Sequence, residues 1–124
     1  MMQPLAFVVY EKLLPGSQLV NRLQDLKYRV QTLTDPAQLS SVAIEAKPML
    51  VFIDLEPTGK DILGAIKQLK GDAQTSHIPV VGFMLQSNKE LEEAARAAGV
   101  TTVAAESVLL NYLPQLLDQA LQLE

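Results

Sequence analysis

The sequence contains no cysteine and only one histidine, His77. Without cysteine the chain can form no disulfide, present no thiolate nucleophile and bind no zinc or iron–sulfur centre through sulfur. A single histidine also excludes a multi-histidine metal site within one chain. These absences exclude several classes of nucleophilic and metal chemistry.

Basic residues are in the minority, since 10 lysines and arginines stand against 14 aspartates and glutamates and give a net charge of −4. Binding to nucleic acid or to anionic lipid would require clustered lysine and arginine, so neither partner is expected. Long hydrophobic runs are missing too, because the first apolar stretch, 5–10, is too short to span a bilayer and follows no basic segment. We therefore expect a cytoplasmic protein that does not enter a membrane.

The chain does contain enough apolar sequence to build a core. Its length of 124 residues is typical of one domain, and 48% of its residues are hydrophobic. No proline-rich, glycine-rich or charged segment has the composition of a linker. We expect a single domain over residues 1–124 and no disordered portion.

Short apolar runs alternate with segments of helical periodicity along the chain. Strands are predicted at 5–10, 29–33, 49–53, 78–84 and 100–105, of which 29–33 has the polar and apolar alternation of an edge strand. Helices are predicted from Ser17, from Asp35 to Lys47, from Asp61 to Lys70, from a capping box at 87–90 to Gly99, and from about Tyr112 onward. This order predicts an α/β fold, a three-layer (βα)5 sandwich whose parallel sheet has the strand order 2-1-3-4-5 and helices on both faces.

In such a sheet, ligands bind outside the carboxyl ends of the strands, where the strand order reverses. For this order the reversal lies between the first and third strands. The segments that follow those strands are Tyr10-Glu11-Lys12 and Asp54-Leu55-Glu56. We therefore expect any site chemistry to involve the carboxylates of these two segments.

Three segments resemble the receiver domain of bacterial response regulators, the CheY-like family with a flavodoxin-like fold. They are Leu50 to Asp54, His77 to Phe83 and Ala94 to Val100, and the order of strands and helices extends the resemblance over essentially the whole chain. In that family an aspartate at the end of the third strand accepts a phosphoryl group from a histidine kinase. The resemblance implies that Asp54 is the candidate phosphoacceptor.

The charged groups around that aspartate depart from the family pattern. Receivers have two acidic residues after the first strand that bind a divalent cation, and the matching residues here are Tyr10 and Glu11. Glu11 and Asp54 are then left to bind Mg²⁺, and weak binding is expected from so few carboxylates. Receivers also end the fifth strand with a lysine that pairs with the phosphoryl oxygens, whereas this chain has Glu106. A glutamate there would repel the phosphoryl group that a lysine attracts.

The residues that switch receivers between states are replaced as well. A serine or threonine at the end of the fourth strand hydrogen-bonds the phosphoryl group in the family, and the matching residue here is Met84. An aromatic residue on the fifth strand is matched by Val103. Without these groups a phosphorylated Asp54 would lack the differential contacts that shift a population. The resemblance is therefore to a divergent receiver, or pseudo-receiver.

These features predict a stand-alone receiver-like signalling protein that acts by protein–protein interaction, is not an enzyme and requires no cofactor. The first alternative is a working phosphorelay response regulator that is phosphorylated on Asp54 in the presence of Mg²⁺, with a histidine kinase as a partner. The second is a small-molecule module of the flavodoxin type, although residues 11–14 are bulky and acidic where a phosphate cradle needs small residues.

Two features could form the contact surface for a partner or a second copy. Glu90 and Glu93 lie in an acidic cluster on the fourth predicted helix. Val108, Leu109 and Leu110 follow the fifth strand, and in a short loop they cannot all point inward. We expect an exposed apolar patch there, so that a polar substitution of Leu109 or Leu110 would weaken association and leave the fold intact.

Overall fold

Strands and helices alternate along the chain as the sequence predicts. The computed structural model describes residues 4–10, 13–56, 61–84 and 88–122, without the side chains of 13–17, 106–107 and 119–122. The strands are β1 (Leu5–Val9), β2 (Arg29–Leu33), β3 (Leu50–Asp54), β4 (Val80–Met84) and β5 (Thr102–Ala105). The α-helices are α1 (Leu13–Asp25), α2 (Leu39–Ala46), α3 (Ile62–Gly71), α4 (Lys89–Ala98), α5 (Glu106–Asn111) and α6 (Leu113–Gln122), and a 3₁₀ turn (Pro36–Gln38) precedes α2.

All five strands form one parallel sheet in the predicted order, β2-β1-β3-β4-β5. The order reverses between β1 and β3, where Val9 pairs with Ile53. On the other side of β3, Asp54 pairs with Phe83 of β4, and Met84 pairs with Ala105 of β5. Because the strands are parallel and in close register, their carboxyl ends meet at one edge of the sheet.

The core has two layers because successive strand residues point to opposite faces of the sheet. One layer packs β1, β3 and β4 against α2, α3 and α4, and the other packs the same strands against α1, α5 and α6. Every residue of β3 and β4 is buried, as continuous apolar strands between two helical layers should be. Most of edge strand β2 is exposed, which agrees with its alternating sequence.

The starts of α1 and α4 differ from the prediction, and the helix predicted from Asp35 begins as the 3₁₀ turn before α2. Helix α1 begins at Leu13 rather than Ser17, so Pro15 lies in its first turn, where a missing N–H breaks no hydrogen bond of the helix. Helix α4 is capped by Asn88, whose side-chain oxygen accepts the Leu91 N–H at 3.2 Å. Ser87, the first residue of the predicted capping box, lies outside the described residues.

The segment after β5 is helix α5 and not the predicted loop. Its six residues turn Leu109 fully into the core and leave Leu110 half-buried, while Val108 is 43% exposed. The expectation that Leu109 is exposed is therefore wrong, because a helix directs one side chain inward where a loop was assumed. Tyr112, at the break before α6, is 55% exposed.

Tyr28 follows α1 and packs against the layer that contains α6. Burial raises the pKa of its phenol, and the Asp118 carboxylate raises that pKa further. Both effects disfavour the phenolate, since one removes it from water and the other places a negative charge nearby.

None of the helices within the described ranges is long and apolar enough to cross a membrane.

Candidate functional site

Three of the predicted site residues lie at the carboxyl ends of β3, β4 and β5. Asp54 is the last residue of β3, Met84 is the last of β4, and Glu106 follows β5 as the first residue of α5. Glu11 lies outside the described residues, and so does the side chain of Glu106. Of the predicted side chains that the structure describes, those of Asp54 and Met84 therefore lie at the carboxyl edge of the sheet.

Asp54 is buried at this edge, with 5% of its surface exposed. Its Oδ1 accepts the backbone N–H of Glu56 at 3.0 Å. A carboxylate that accepts a bond from the amide two residues ahead stabilises the tight turn that leaves the strand. Asp54 therefore caps a backbone donor of the β3–α3 loop, as expected from the sequence if this aspartate has a structural role.

The residue after Asp54 packs closely against a glycine of the neighbouring strand. Leu55 is buried, and its N–H donates to the Phe83 carbonyl at 2.9 Å. Its side chain covers Gly82 so closely that a Cβ at Gly82 would lie 2.7 Å from Leu55 Cδ1. The apolar pattern of the strand does not reveal this contact, although an isolated glycine inside a strand often marks such a close approach.

Met84 is 2% exposed and belongs to the apolar layer beneath α2, α3 and α4. Its sulfur accepts the backbone N–H of Asn88 at 3.3 Å. A thioether has no proton to donate and is only a weak acceptor. The Met84 side chain therefore offers an incoming anion no hydroxyl group, and its sulfur already accepts a hydrogen bond from Asn88, the residue that caps α4.

The remaining predicted residues lie on β5 and α4. Val103 is half-buried and packs against the same apolar layer as Met84. Glu90 and Glu93 are exposed on α4, beside an ion pair between Glu92 and Arg96 at 3.3 Å. These glutamates give the outer side of α4 a negative charge, and their role in binding stays a prediction.

The described residues do not by themselves fit a Mg²⁺ site. Across the described ranges, no group of three histidine, aspartate or glutamate side chains could hold a metal ion. Hard cations such as Mg²⁺ bind through oxygen ligands, and Asp54 supplies a carboxylate at this edge. That Glu11 and Asp54 together bind the ion stays a prediction.

A groove of about 380 Å³ lies between the 3₁₀ turn and α3. Asp35 and Asp61 line it, and both cap helix starts by accepting backbone N–H bonds, from Ala37 at 3.0 Å and from Gly64 at 2.9 Å. These carboxylates occupy the amides that a phosphate group would use. The groove does not test the flavodoxin-type alternative, whose phosphate cradle would lie at residues 11–14.

Comparison with known proteins shows the fold of the chain. No protein-family model and no curated protein sequence matches it. It is similar to the solved structure of a protein described as a response regulator from Chloroflexus aurantiacus, with a TM-score of 0.89 and 16% identity over 98% of this chain and 99% of that one. Vibrio cholerae chemotaxis protein CheY4 has a TM-score of 0.84 and 17% identity over 96% of this chain and 99% of its own. The phosphorylated cyanobacterial phytochrome response regulator RcpA has a TM-score of 0.77 and 17% identity, covering 99% of this chain and 97% of its own. The chain has the fold of CheY-like receiver domains.

Proposed function

We propose that this chain, with its receiver-domain fold, is a signalling domain that works by contact with another protein or with a second copy and has a degenerate phosphorylation site. The fold and the position of Asp54 support a relationship to phosphorelay proteins. The groups around Asp54 argue against efficient phosphoryl transfer. Residues 1–124 then form one receiver-like domain that acts by binding and not by catalysis.

The observation that carries the proposal is the environment of Met84. Phosphoryl transfer depends on donors and cations that stabilise negative charge on the phosphoryl oxygens. The resemblance to receivers places a hydroxyl donor at the end of β4. This protein has there a buried thioether that accepts a hydrogen bond from the backbone N–H of Asn88. A phosphoryl group on Asp54 would find no hydrogen-bond donor in the Met84 side chain.

The residue that follows β5 supports the same reading. Glu106 begins α5 at the place where the resemblance to receivers implies a lysine. Two like charges repel, and the repulsion grows as water is excluded from the space between them. A glutamate at this chain position therefore disfavours phosphorylation of Asp54.

Intact-mass spectrometry tests the degenerate site directly. The protein is incubated with acetyl phosphate and Mg²⁺ beside a phosphorylatable receiver domain as the positive control. We expect the control to gain one phosphoryl group and this protein to gain none. A single acid-labile phosphoryl adduct that disappears in Asp54→Asn would overturn the proposal.

That same adduct would establish the second candidate function, a working response regulator phosphorylated on Asp54 by a histidine kinase. The observation in its favour is that Asp54 ends β3 at the edge where the strand order reverses. The carboxyl edge of such a sheet is where ligands of this fold class bind. Glu11 and Asp54 would then hold the Mg²⁺ that such a reaction uses.

The proposed contact surface has two parts in different helical layers, which are the exposed acidic residues of α4, Glu90 and Glu93, and the exposed apolar side chains Val108, on α5, and Tyr112, before α6. Half-buried Leu110 lies beside Val108 in the chain, whereas buried Leu109 has no part in this surface. Exposed apolar groups and exposed charges both occur at protein contact sites. Association through this surface should therefore respond both to salt and to polar substitution.

Charge reversal of α4 tests this surface. Glu90→Lys with Glu93→Lys should change the association of the protein in sedimentation velocity at high concentration or in binding to an isolated partner. Glu45→Lys is the matched control, because Glu45 is also an exposed helical glutamate but lies on α2. A wild-type protein that stays monomeric and binds no partner would contradict this part of the proposal.

A further inference from the structure

The side chains of α4 anchor its first turn weakly. The buried residues of this helix, Ala95 and Ala98, both lie in its second half. Alanine buries little apolar area, so these contacts hold the carboxyl half of the helix with few atoms. In the amino half, Leu91 is only half-buried. The position of the first turn therefore depends heavily on its polar contacts.

Those polar contacts meet at Asn88. Its side-chain oxygen accepts the Leu91 N–H at 3.2 Å, and its carbonyl oxygen accepts the Glu92 N–H at 2.9 Å. Its own N–H donates to the sulfur of Met84 at 3.3 Å. The first two bonds hold the turn together, whereas the third connects that turn to the sheet.

Met84 is itself anchored in the sheet. Met84 is 2% exposed, ends β4 and pairs with Ala105 of β5, so its backbone belongs to the sheet. Methionine is flexible and polarisable, which lets the sulfur reach an amide that a branched aliphatic side chain could not satisfy. The sheet thus supplies an acceptor at the point where α4 begins.

We propose that Met84 is a positioning residue that fixes the first turn of α4 through its sulfur. The bond holds Glu90 and Glu93 in one position whatever the state of Asp54. The importance of these glutamates to a partner rests on the proposed function, but the positioning of α4 does not. Met84, which stands where receivers have a serine or threonine, then holds the start of α4 in place.

Met84→Leu tests the proposal, because leucine keeps the volume and removes the acceptor. Met49→Leu is the matched control, since Met49 is 46% exposed and precedes β3 at the opposite edge of the sheet. Amide hydrogen exchange followed by NMR should show Asn88 and Leu91 exchanging about threefold to tenfold faster in Met84→Leu. Exchange of these amides should not change in the control.

Replacing every methionine with norleucine is a second test that leaves the shape of the side chain intact. A CH₂ group then stands in place of the sulfur, and Asn88 should again exchange faster. Unchanged exchange at Asn88 in Met84→Leu or in the norleucine protein would overturn the proposal. If Asn88 exchanges faster in these proteins but their association is unchanged, the positioning by Met84 is supported and the proposed role of Glu90 and Glu93 in association is contradicted. Failure of the positioning proposal can therefore be distinguished from failure of the proposed function.

Discussion

Replacing Leu109 with alanine should strongly destabilise the protein, because this side chain is fully buried between α5 and the layer that contains α1 and α6. Val108, its neighbour on the same short helix, is 43% exposed. Val108→Ala is therefore a matched control that shortens an adjacent apolar side chain on the solvent side of α5. The pair compares the inner and outer sides of one helix.

The expected magnitude follows from the atoms removed. Leucine to alanine deletes three carbon atoms, at about 0.8 kcal/mol each when they are fully buried. The cavity left behind adds to this loss, so Leu109→Ala should lower the free energy of unfolding by about 3 kcal/mol, within the usual range of about 2–5 kcal/mol. Val108→Ala should change the free energy of unfolding by about 0.5 kcal/mol or less, as is usual for exposed positions.

Urea denaturation followed by far-ultraviolet circular dichroism measures both changes. With a slope of about 2 kcal/mol per molar urea, typical of small proteins, the midpoint of Leu109→Ala should fall by about 1.5 M. The midpoint of Val108→Ala should stay close to that of the wild type. Equal midpoints for the two variants would refute the burial of Leu109 and restore the exposed loop that the sequence suggests.

Three further substitutions test other parts of the fold. Gly82→Ala should lower the free energy of unfolding by about 1–3 kcal/mol, because its Cβ would lie 2.7 Å from Leu55 Cδ1; a wild-type thermal midpoint would argue against this close packing. Ser40→Ala should raise that free energy by about 1 kcal/mol, because the buried Ser40 hydroxyl has no hydrogen-bond partner among the described residues. The control Ser41→Ala, which loses only an exposed hydrogen bond to a backbone carbonyl, should lower it slightly, and equal effects of the two serines would refute the reasoning. The raised pKa of Tyr28 predicts stability that is fully present below the ordinary tyrosine pKa of about 10 and is lost as pH rises through the folded-state value. Thermal denaturation at a series of alkaline pH values should show a smaller loss of stability in Tyr28→Phe than in the wild type, and identical pH profiles would count against the shift.

The sheet was predictable because its signals are local. Continuous apolar runs predicted β3 and β4, and the polar alternation of 29–33 predicted an edge strand. Asp54 could be placed at the carboxyl edge of the sheet, beside the point where the strand order reverses, because the apolar run of β3 ends there. The strand order itself follows from the alternation of strands and helices. Strand pairing then brings Met84 to the same edge without further assumptions.

The features that the sequence could not predict are a helix too short to show a periodic pattern and contacts between residues on different elements. Helix α5 has only six residues, which is too short for a helical period to be recognised, so the sequence predicts a loop at Leu109. The bond between the Met84 sulfur and Asn88 depends on where the chain passes after β4, and no residue pattern reports that path. The close approach of Leu55 to Gly82 requires knowledge of strand register.

The central claim, that the α4 surface does not respond to chemistry at Asp54, is tested most directly by NMR titration. Beryllofluoride with Mg²⁺ mimics a phosphoryl group on an aspartate, and the backbone amides of Met84, Asn88 and Val103 report on the end of β4, the start of α4 and β5. We predict no saturable chemical-shift change at these amides. Saturable shifts that vanish in Asp54→Asn would contradict the account and show a working phosphorylation switch.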